Sequence, residues 1–424
     1  MGQIIINGAK KLQGTVEVSG AKNSALPLFA AALLCDRAEF TNVPALRDIE
    51  SMIELLVYLG CEIEFVAISS VNGNLNNRCS IKAKHSNLKY DAPYDFVRKM
   101  RASILVLGPL LARFGQAKVS LPGGCAIGVR PIDMHLDALA KMGATITVQS
   151  GYVEASVKNR LKGADIEFDK ISVGATENIV MAATLAEGIV TIKNAACEPE
   201  VVDLADFLNK CGAKIAGAGT STITIEGVEK LHAAQHEVIG DRIEAGTYAV
   251  AAAITRGEVL IKGIDKRHLK TVIHTLNEIG VATDTDHNSL FIKSSGELTS
   301  VNIQTEPYPG FPTDMQAQLM SLLCIAPGSS VITENIFESR FMHVPELARM
   351  GAKIHVINHH QAVVEGVDML SGAEVMATDL RASAALILAG LAARNTTTVR
   401  RIYHLERGYS NLIQKLKLLG ADLN

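Results

Sequence analysis

Several features that mark particular classes of protein are missing from this sequence of 424 residues. It contains no tryptophan and only 4% aromatic residues, so it lacks the platforms on which single-stranded nucleic acid binders stack bases. The 41 basic and 44 acidic residues nearly cancel and leave a net charge of −3, which offers no overall basic field for nucleic acid. We therefore expect no nucleic acid partner.

Long apolar runs and a targeting segment are also missing. The longest apolar stretches, Leu26–Cys35 and Ala102–Ala112, are shorter than the roughly 18 residues that a transmembrane helix needs. Residues 1–8 show neither the positively charged region nor the long apolar region of a signal peptide. We therefore expect no membrane span and a cytoplasmic protein.

The cysteines form no C-x-x-C pair, which argues against a disulfide framework and against a zinc site. Their positions are Cys35, Cys61, Cys79, Cys125, Cys197, Cys211 and Cys324. We expect most of them to be small core residues in a reducing compartment. With 48% hydrophobic and 20% charged residues, the chain is typical of a folded protein of two or three domains.

One pattern recurs six times: an amphipathic stretch ends at a glycine, a small residue usually follows, and an alternating apolar run begins. The six glycines are Gly60, Gly143, Gly212, Gly280, Gly351 and Gly420. They are 83, 69, 68, 71 and 69 residues apart, so six units of about 70 residues account for nearly the whole chain. Each glycine fits the left-handed position that ends a helix.

Each unit alternates helix and strand twice. A strand follows the closing glycine, as in Thr145–Val148 and Lys353–Val356. An alanine-rich helix precedes the unit's other strand, as at Met181–Leu185 and Ala249–Ile254. Helices that are apolar on several faces are typical of a protein interior. The pattern therefore predicts an α/β fold with helices inside and sheets outside.

Two candidate seams divide the six units into two groups of three. They lie at Val18–Ala21 and at Val238–Asp241. We predict two similar α/β domains joined by two crossings, one formed by residues 22–239 and the other by residues 1–21 plus 240–424.

The N-terminal residues are assigned to the second of these domains. A short hairpin of Ile4–Ile6 and Thr15–Val18 is expected to complete it. Six units could instead close into one ring, but the two seams favour two bundles of three. Two lobes on a double hinge leave a cleft that can close on a ligand.

A glycine-rich loop interrupts the repeat. In three later units the mid-unit and closing glycines are 24, 23 and 23 residues apart, whereas Gly115 and Gly143 are 28 residues apart. The extra residues fall in Leu121–Arg130, which carries Cys125. Such a loop can aim backbone N–H groups at an anion, its arginine adds bidentate charge, and its thiol can serve as acid or nucleophile. The alternative is a flexible turn with an inert thiol.

Single charged or polar residues at the edges of units are further candidates. They are Lys22 with Asn23, Arg101, Asp314, Arg340, Arg381 and Arg407. Each alone fits an ordinary surface charge or helix cap, and Asp314 could simply cap the helix that follows it. Several stand at equivalent starts of different units. A closed two-lobe fold would bring them together around a doubly charged phosphate and a carboxylate.

The chain resembles, from end to end, the family of enolpyruvyl transferases that act on UDP-N-acetylglucosamine at the first committed step of bacterial peptidoglycan synthesis. The most specific matching segments are Ser19–Ser24, Leu121–His135, Gly310–Gln318, Arg340–His343, Asp379–Ser383 and Arg407–Tyr409. The resemblance implies two inside-out α/β domains, each of three βαβαββ units. It implies transfer of the enolpyruvyl group of phosphoenolpyruvate to the sugar 3′-hydroxyl of UDP-N-acetylglucosamine, with release of phosphate and without a metal or an organic cofactor.

The resemblance also implies four catalytic residues: Cys125, Asp314, Lys22 and Arg407. Cys125 matches the loop cysteine that acts as general acid, bonds covalently to phosphoenolpyruvate and is alkylated by fosfomycin. Asp314 matches the general base at the sugar hydroxyl. An enzyme of this kind acts in cell wall biogenesis, and through it the resemblance implies a role in cell shape, the cell cycle and cell division.

The remaining substrate contacts are likewise implied by the resemblance. Lys22, Arg130 and Arg407 match the clamp on the phosphate. Arg340 and Arg381 match the partners of the carboxylate. Further substrate-contacting positions are Asn23, Arg101, Arg130, Pro131, Ile132, Asp133, Met134, Lys170, Ile171, Ser172, Val173, Gly174 and Ile336.

Two other interpretations stay open at this point. A sister enolpyruvyl transferase acts on shikimate 3-phosphate and has the same six-unit architecture, but it lacks the Gly-Gly-Cys loop, and a phosphorylated acceptor calls for more cations. A DNA sliding clamp also builds a ring from six α/β units. It needs a cationic inner surface lined by helices, whereas the repeated helices here are rich in alanine and uncharged.

Overall fold

The computed structural model describes residues 2–67, 77–122 and 131–424. In chain order the strands are β1 (Gln3–Asn7), β2 (Gln13–Glu17), β3 (Arg37–Val43), β4 (Glu62–Val66), β5 (Asn77–Lys82), β6 (Asp91–Ala92), β7 (Gln116–Ser120), β8 (Thr145–Gln149), β9 (Tyr152–Ser156), β10 (Lys162–Glu167), β11 (Glu187–Lys193), β12 (Lys214–Ala216), β13 (Thr222–Glu226), β14 (Ala234–Glu237), β15 (Glu258–Lys262), β16 (Ala282–Asp286), β17 (Ser289–Lys293), β18 (Ile303–Gln304), β19 (Ser329–Thr333), β20 (Lys353–Asn358), β21 (Gln361–Glu365), β22 (Glu374–Met376), β23 (Thr396–Arg400) and β24 (Asp422–Leu423).

The helices alternate with these strands. They are α1 (Lys22–Ala31), α2 (Arg47–Tyr58), α3 (Tyr94–Val97), α4 (Leu107–Phe114), α5 (Asp133–Lys141), α6 (Val173–Ala183), α7 (Pro199–Lys210), α8 (Arg242–Ile254), α9 (Lys270–Glu278), α10 (Gln316–Leu323), α11 (Val344–Arg349), α12 (Leu380–Ala392) and α13 (Leu412–Leu418). Short 3-10 helices span Ala32–Leu34, His85–Asn87, Arg101–Val106, Lys266–Leu269, Thr313–Met315 and Ile402–Arg407.

The strands of the described residues form six four-stranded sheets of one topology. In β10-β11-β13-β12 the first pair is parallel and the next two pairs are antiparallel. The other five sheets have the orders β14-β3-β5-β4, β6-β7-β9-β8, β2-β15-β17-β16, β18-β19-β21-β20 and β22-β23-β1-β24. Six equivalent sheets confirm the six-unit interpretation of the sequence.

The glycines that mark the repeat all adopt the left-handed conformation. Their φ angles are 102° at Gly60, 92° at Gly143, 95° at Gly212, 98° at Gly280, 87° at Gly351 and 95° at Gly420. An L-residue in this conformation costs roughly 1–2 kcal/mol, and glycine avoids that cost because it has no Cβ. Each helix therefore ends where the sequence pattern predicts, and the next strand begins.

The alanine-rich helices lie inside and the sheets lie outside, as predicted. Every residue of α8, from Arg242 to Ile254, is buried. Strand β13 alternates exposed and buried residues, so one face of its sheet packs on the core and the other faces solvent. Within the three described ranges, no helix is long and apolar enough to cross a lipid bilayer.

The buried hydrophobic residues form two separate cores. One core draws its residues from 25–238. The other draws them from 4–18 together with 243–423. This distribution supports the proposed division into residues 22–239, which we call the first lobe, and the remainder of the chain, which we call the second lobe.

The expected N-terminal hairpin is not formed. Strand β1 pairs with β23 and β24, whereas β2 pairs with β15, so the two strands enter different sheets. Each of those sheets has only three other strands, and an added strand satisfies backbone groups that would otherwise lack partners. Both strands do join sheets of the second lobe, but the predicted pairing between them is wrong.

The two crossings between the lobes lie side by side. Gly20 and Gly240 form an isolated antiparallel bridge, beside which the N of Asp241 donates to the O of Ser19 at 2.9 Å. A Cβ on Gly20 would stand 1.8 Å from the backbone oxygen of Asn42, so the crossing needs glycine there. The two seams of the sequence are therefore hydrogen-bonded partners.

Most of the described cysteines are core residues, as expected. Five are buried, and the sixth, Cys197, is partly exposed. The pKa of Cys79 is raised to about 12 by burial, which makes its thiol inert at neutral pH. Cys125 lies outside the described residues, together with Arg130 and the rest of the loop 123–130.

Candidate active site

The starts of equivalent buried helices form one charged cluster. Lys22 begins α1, Arg381 is the second residue of α12, and Asp314 lies in the short helix that runs into α10. The backbone N of Lys22 donates to Oδ2 of Asp241 at 3.3 Å, and Asp241 caps α8. Helix N-termini carry partial positive charge, so a place where several of them meet favours anions.

Two arginines of the second lobe share the carboxylate of Asp314. Its Oδ2 accepts a hydrogen bond from Arg381 at 2.7 Å, and its Oδ1 accepts one from Arg340. The side chains of these arginines are only 5–6% exposed. The alternative of a capping role is not supported, because neither the short helix at Asp314 nor α10 has a side-chain cap. We call Arg340 with Arg381 the second cation pair.

These arginines govern the basicity of Asp314. Burial alone would raise the pKa of the carboxyl, but the charges of Arg381 and Arg340 outweigh burial and hold the pKa well below its usual range. A general base works best when its pKa lies near the operating pH. Asp314 is therefore a poor proton acceptor while both arginines contact it.

A second carboxylate, that of Asp48, is shared by two cations in the same way. Its Oδ2 lies 3.3 Å from Nζ of Lys22, and its Oδ1 accepts from Nε of Arg407 at 2.9 Å. Asp48 is only 5% exposed. Since Lys22 and Asp48 lie in the first lobe and Arg407 in the second, this contact joins the lobes. We call Lys22 with Arg407 the first cation pair.

Sequence reasoning missed Asp48. It occupies the first turn of α2, where acidic residues are common because they complement the helix dipole. Its position in the sequence therefore gave no sign of a site. Only the fold shows that its carboxylate faces two of the expected substrate contacts.

The two cation pairs lie within electrostatic reach of one another. Burial lowers the pKa of Lys22, Asp48 opposes that effect, and Arg381 lowers the pKa further. Asp314 and Arg407 also act on the same ammonium group. The protonated state of Lys22 therefore depends on the balance of charge in the whole cluster.

A buried polar network holds the main chain of Asp314. Nε2 of Gln318 donates to the backbone O of Asp314 at 2.8 Å and to the hydroxyl of Tyr409 at 3.1 Å. That hydroxyl lies 2.9 Å from Oγ1 of Thr247. The guanidinium of Arg381 lies over the Tyr409 ring, 5.5 Å from its centroid. Both partners of the Asp314–Arg381 pair are thus preorganised by one network.

The two first-lobe segments expected at the nucleotide sugar are neighbours. Nδ2 of Asn178 in α6 lies 2.9 Å from Nδ1 of His135 in α5. Burial, with a smaller effect of the Arg101 charge, lowers the pKa of His135 to about 4, so this imidazole is neutral at pH 7. Arg101 also donates to the backbone O of Pro131 at 3.2 Å, and Ser172 caps α6.

Most of the other expected contact positions are exposed or partly exposed to solvent. The exposed positions are Asn23, Pro131, Asp133, Lys170 and Ile171, the partly buried ones are Met134, Val173, Gly174 and Ile336, and Ile132 is buried. Exposure of this kind leaves side chains accessible to a ligand.

The structure thus joins Lys22, Asp314, Arg340, Arg381 and Arg407 in one cluster, and it groups the starts of α5 and α6 separately. Cys125 and Arg130 cannot be placed in either group, since they fall outside the described ranges. In the described part of the chain, no group of three or more His, Cys, Asp or Glu side chains is arranged to hold a metal ion. Independence from a cofactor stays an expectation.

Comparison with known proteins identifies the family. A family model described as EPSP synthase (3-phosphoshikimate 1-carboxyvinyltransferase) matches residues 6–416. The UDP-N-acetylglucosamine 1-carboxyvinyltransferase of Granulibacter bethesdensis is 54% identical, over 100% of this chain and 99% of that protein. The protein of the same name from Geobacter metallireducens is 55% identical, also over 100% and 99%.

Solved structures agree with this relationship. The enolpyruvyl transferase NikO from Streptomyces tendae matches with a TM-score of 0.87 at 27% identity, over 100% of this chain and 98% of that one. EPSP synthase from Acinetobacter baumannii matches with a TM-score of 0.74 at 20% identity, over 100% and 99%, which supports the fold alone. The chain belongs to the enolpyruvyl transferase family, in the group of the UDP-N-acetylglucosamine 1-carboxyvinyltransferases.

Proposed function

We propose that this protein transfers the enolpyruvyl group of phosphoenolpyruvate to the 3′-hydroxyl of UDP-N-acetylglucosamine and releases phosphate. The observation that carries the proposal is the presence of two adjacent cation pairs, each engaged with one carboxylate. Phosphoenolpyruvate has two anionic groups, a phosphate and a carboxylate. Two cation pairs match that distribution of charge. The proposed acceptor, UDP-N-acetylglucosamine, is the one in the name of the relatives that are 54% and 55% identical to this chain.

The chemistry requires an acid and a base on either side of the bound pair. The sugar hydroxyl oxygen bonds to C2 of phosphoenolpyruvate while C3 gains a proton and the hydroxyl loses one. Phosphate then leaves C2, and C3 gives up a proton to restore the vinyl group. The tetrahedral intermediate keeps both anionic groups, so cations at fixed positions in a water-poor site stabilise it.

Asp314 is the proposed base, and substrate binding would activate it. The carboxylate of phosphoenolpyruvate competes with Asp314 for the second cation pair. When the carboxylate of the substrate engages these arginines, it offsets the charges that depress the pKa of Asp314, while the desolvation of Asp314 persists. Its pKa then rises towards the working pH. Proton abstraction is thereby coupled to occupancy of the site.

The first cation pair is the proposed binding site for the phosphate. Lys22 and Arg407 approach it from different lobes, and Asp48 between them favours the charged form of the Lys22 ammonium group. Phosphate bound here would draw the lobes together. Release of phosphate at the end of the cycle would return both cations to Asp48.

Cys125 is the proposed general acid, with Arg130 as a third cation at the phosphate. The sequence match of the loop supports both assignments, and the same thiol is the proposed site of alkylation by fosfomycin. Cell wall biogenesis in the cytoplasm is the corresponding cellular role, with consequences for cell shape and cell division.

The alternatives considered from the sequence are not favoured. The EPSP synthase structure shares 20% of its residues with this chain, whereas the relatives named for the nucleotide sugar share 54% and 55%. The DNA clamp interpretation required helices that line an open basic surface. Helix α8 is instead buried along its whole length.

The acceptor is tested by measuring phosphate release from phosphoenolpyruvate with each of two acceptors. Release is expected with UDP-N-acetylglucosamine and not with shikimate 3-phosphate. Release with shikimate 3-phosphate alone would reassign the acceptor. A lack of release with both compounds, from protein that is folded and binds phosphoenolpyruvate, would contradict the proposed activity.

A further inference from the structure

A buried ion pair lies close to the crossings between the lobes. Nζ of Lys415 in α13 lies 2.7 Å from Oε1 of Glu244 in α8, and it donates to Oγ of Ser19 at 2.8 Å. Oε2 of Glu244 accepts from the backbone N of Ser19 at 2.9 Å. The exposed fractions are 1% for Lys415, 2% for Glu244 and 3% for Ser19. We call these three residues the hinge triad.

The hinge triad joins the two chain segments that carry the first cation pair. Ser19 lies three residues before Lys22, and Lys415 lies eight residues after Arg407. The same two segments meet a second time where Lys22 and Arg407 contact Asp48. The two segments are therefore tied together at two independent points.

The triad also reaches the other crossing. The backbone O of Ser19 accepts from the N of Asp241 at 2.9 Å. Asp241 caps α8 through Oδ1 and accepts from the backbone N of Lys22 through Oδ2. The backbone around Lys22 is thus fixed to the same helix that carries Glu244.

Stability alone does not account for a buried ion pair at this place. Replacing such a pair by apolar side chains of similar volume is often neutral or stabilising, since desolvation offsets much of the attraction between the charges. The best-attested use of a buried polar group is to select one arrangement among alternatives. Here the arrangement is the spacing of two cations that must fit one phosphate.

We propose that Lys415, Glu244 and Ser19 are positioning residues that set the spacing of Lys22 and Arg407 for the phosphate of phosphoenolpyruvate. The inference rests on the proposed function for the identity of that ligand. None of the three residues touches the substrate in this proposal. They act through the segments that hold the two cations.

Two variants separate positioning from folding. Lys415→Met with Glu244→Gln removes both charges and keeps an oxygen that can accept from the N of Ser19. Ser19→Ala removes one hydrogen bond and leaves the ion pair in place. The matched control is Lys10→Met with Asp422→Asn, which removes another ion pair of the second lobe, 2.8 Å long but solvent-exposed.

The measurements are calorimetric affinity for inorganic phosphate, the KM for phosphoenolpyruvate and the affinity for UDP-N-acetylglucosamine. For the double variant we expect phosphate affinity to fall and KM to rise by about tenfold, because misplaced charges bind a rigid anion poorly. For Ser19→Ala we expect phosphate affinity to fall and KM to rise by about threefold, in line with the loss of one hydrogen bond. The affinity for UDP-N-acetylglucosamine and all values of the control pair should stay unchanged.

A merely structural role would lower the thermal midpoint or the kcat of the variants and leave both affinities unaltered. That result, or phosphate affinities equal to that of the unaltered protein, would overturn the inference. If the double variant does not fold, Ser19→Ala decides the question. Phosphate binding is measured without any acceptor, so a failure of the proposed function would show separately, as a lack of turnover in the unaltered protein.

Discussion

The guanidinium of Arg381 donates to Oδ2 of Asp314 at 2.7 Å. The family resemblance assigns these two residues different tasks, one at the carboxylate of phosphoenolpyruvate and the other at the sugar hydroxyl. In the structure the two side chains instead form an ion pair with each other. Under the proposed roles, substrate and base would compete for the same cation, and substrate binding would be linked to the basicity of Asp314.

Removing the proton-accepting ability of Asp314 tests its role as base. Asp314→Asn retains an oxygen for Arg381 but cannot take up a proton at neutral pH. We expect kcat to fall by ~10² or more, the usual contribution of a general base. Steady-state kinetics beside Asp422→Asn, a change at an exposed carboxylate, provides the control. A near-normal rate in Asp314→Asn would exclude a role for Asp314 as base.

Arg381 is expected to bind the substrate carboxylate. Arg381→Ala should raise the KM for phosphoenolpyruvate by about tenfold or more, because a buried charged partner is lost. The KM for UDP-N-acetylglucosamine should change much less. Arg400→Ala serves as a control, since Arg400 forms an exposed ion pair with Glu374 on the surface of the second lobe. An unchanged KM for phosphoenolpyruvate in Arg381→Ala would place this arginine outside the substrate contacts.

Asp48 is expected to keep Lys22 charged. Burial lowers the pKa of Lys22 and Asp48 opposes this effect, so Asp48→Asn should lower that pKa further. The ammonium group then loses its proton at lower pH, and the alkaline limb of kcat/KM for phosphoenolpyruvate should move to lower pH.

The control for this experiment is Lys22→Arg. A guanidinium keeps its proton to about pH 12 and above, so the alkaline limb due to Lys22 should disappear. An alkaline limb at the same pH in Asp48→Asn as in the unaltered protein would show that Asp48 does not influence Lys22.

Glu177 in α6 should make stability depend on pH. Burial, followed by the charges of Glu200 and Glu198, raises its pKa well above the usual value. Its contribution to the free energy of unfolding is therefore fully present below the pKa of the unfolded chain, about 4.3, and is lost as the pH rises through the folded pKa. Glu177→Gln cannot ionise, so it should be as stable as the unaltered protein at pH 4 and more stable at pH 8.

Chemical denaturation at several pH values measures this difference. It should grow by at most about 1.4 kcal/mol per pH unit, the limit for a single proton. A difference in free energy that stays constant between pH 4 and pH 8 would mean that Glu177 does not titrate in this range.

Fosfomycin should label a single thiol. Intact-mass spectrometry is expected to show one adduct on the unaltered protein and none on Cys125→Ser, whose turnover should also be sharply reduced. Cys197→Ser is the matched control, because Cys197 is partly exposed whereas the other described cysteines are buried. Labelling that persists in Cys125→Ser but not in Cys197→Ser would assign the reactive thiol to Cys197.

Much of the fold was predictable because its signal is local and repeated. Each closing glycine adopts positive φ, and an alanine-rich helix such as α8 is buried on every face. The pairing of β1 and β2 was not predictable in the same way. It depends on which distant sheets have only three other strands, and neighbouring residues carry no information about that.

The cluster was predictable in part, for a related reason. Lys22 and Asp314 stand at equivalent helix starts, so the repeat itself brings them together. Asp48 and Glu244 look like ordinary acids in the first turns of α2 and α8, and Lys415 looks like a basic residue of a terminal helix. Only burial and distance distinguish such residues, and both are properties of the folded chain.

The most direct test of the proposed reaction is proton NMR of the product formed from phosphoenolpyruvate and UDP-N-acetylglucosamine in deuterated water. Addition of the hydroxyl requires a solvent-derived hydrogen at C3, and elimination then removes one of the three hydrogens there. We predict an enolpyruvyl ether on the sugar with deuterium in its vinyl group. A product that retains only protium at C3, or no product with folded protein, would contradict the addition and elimination proposed here.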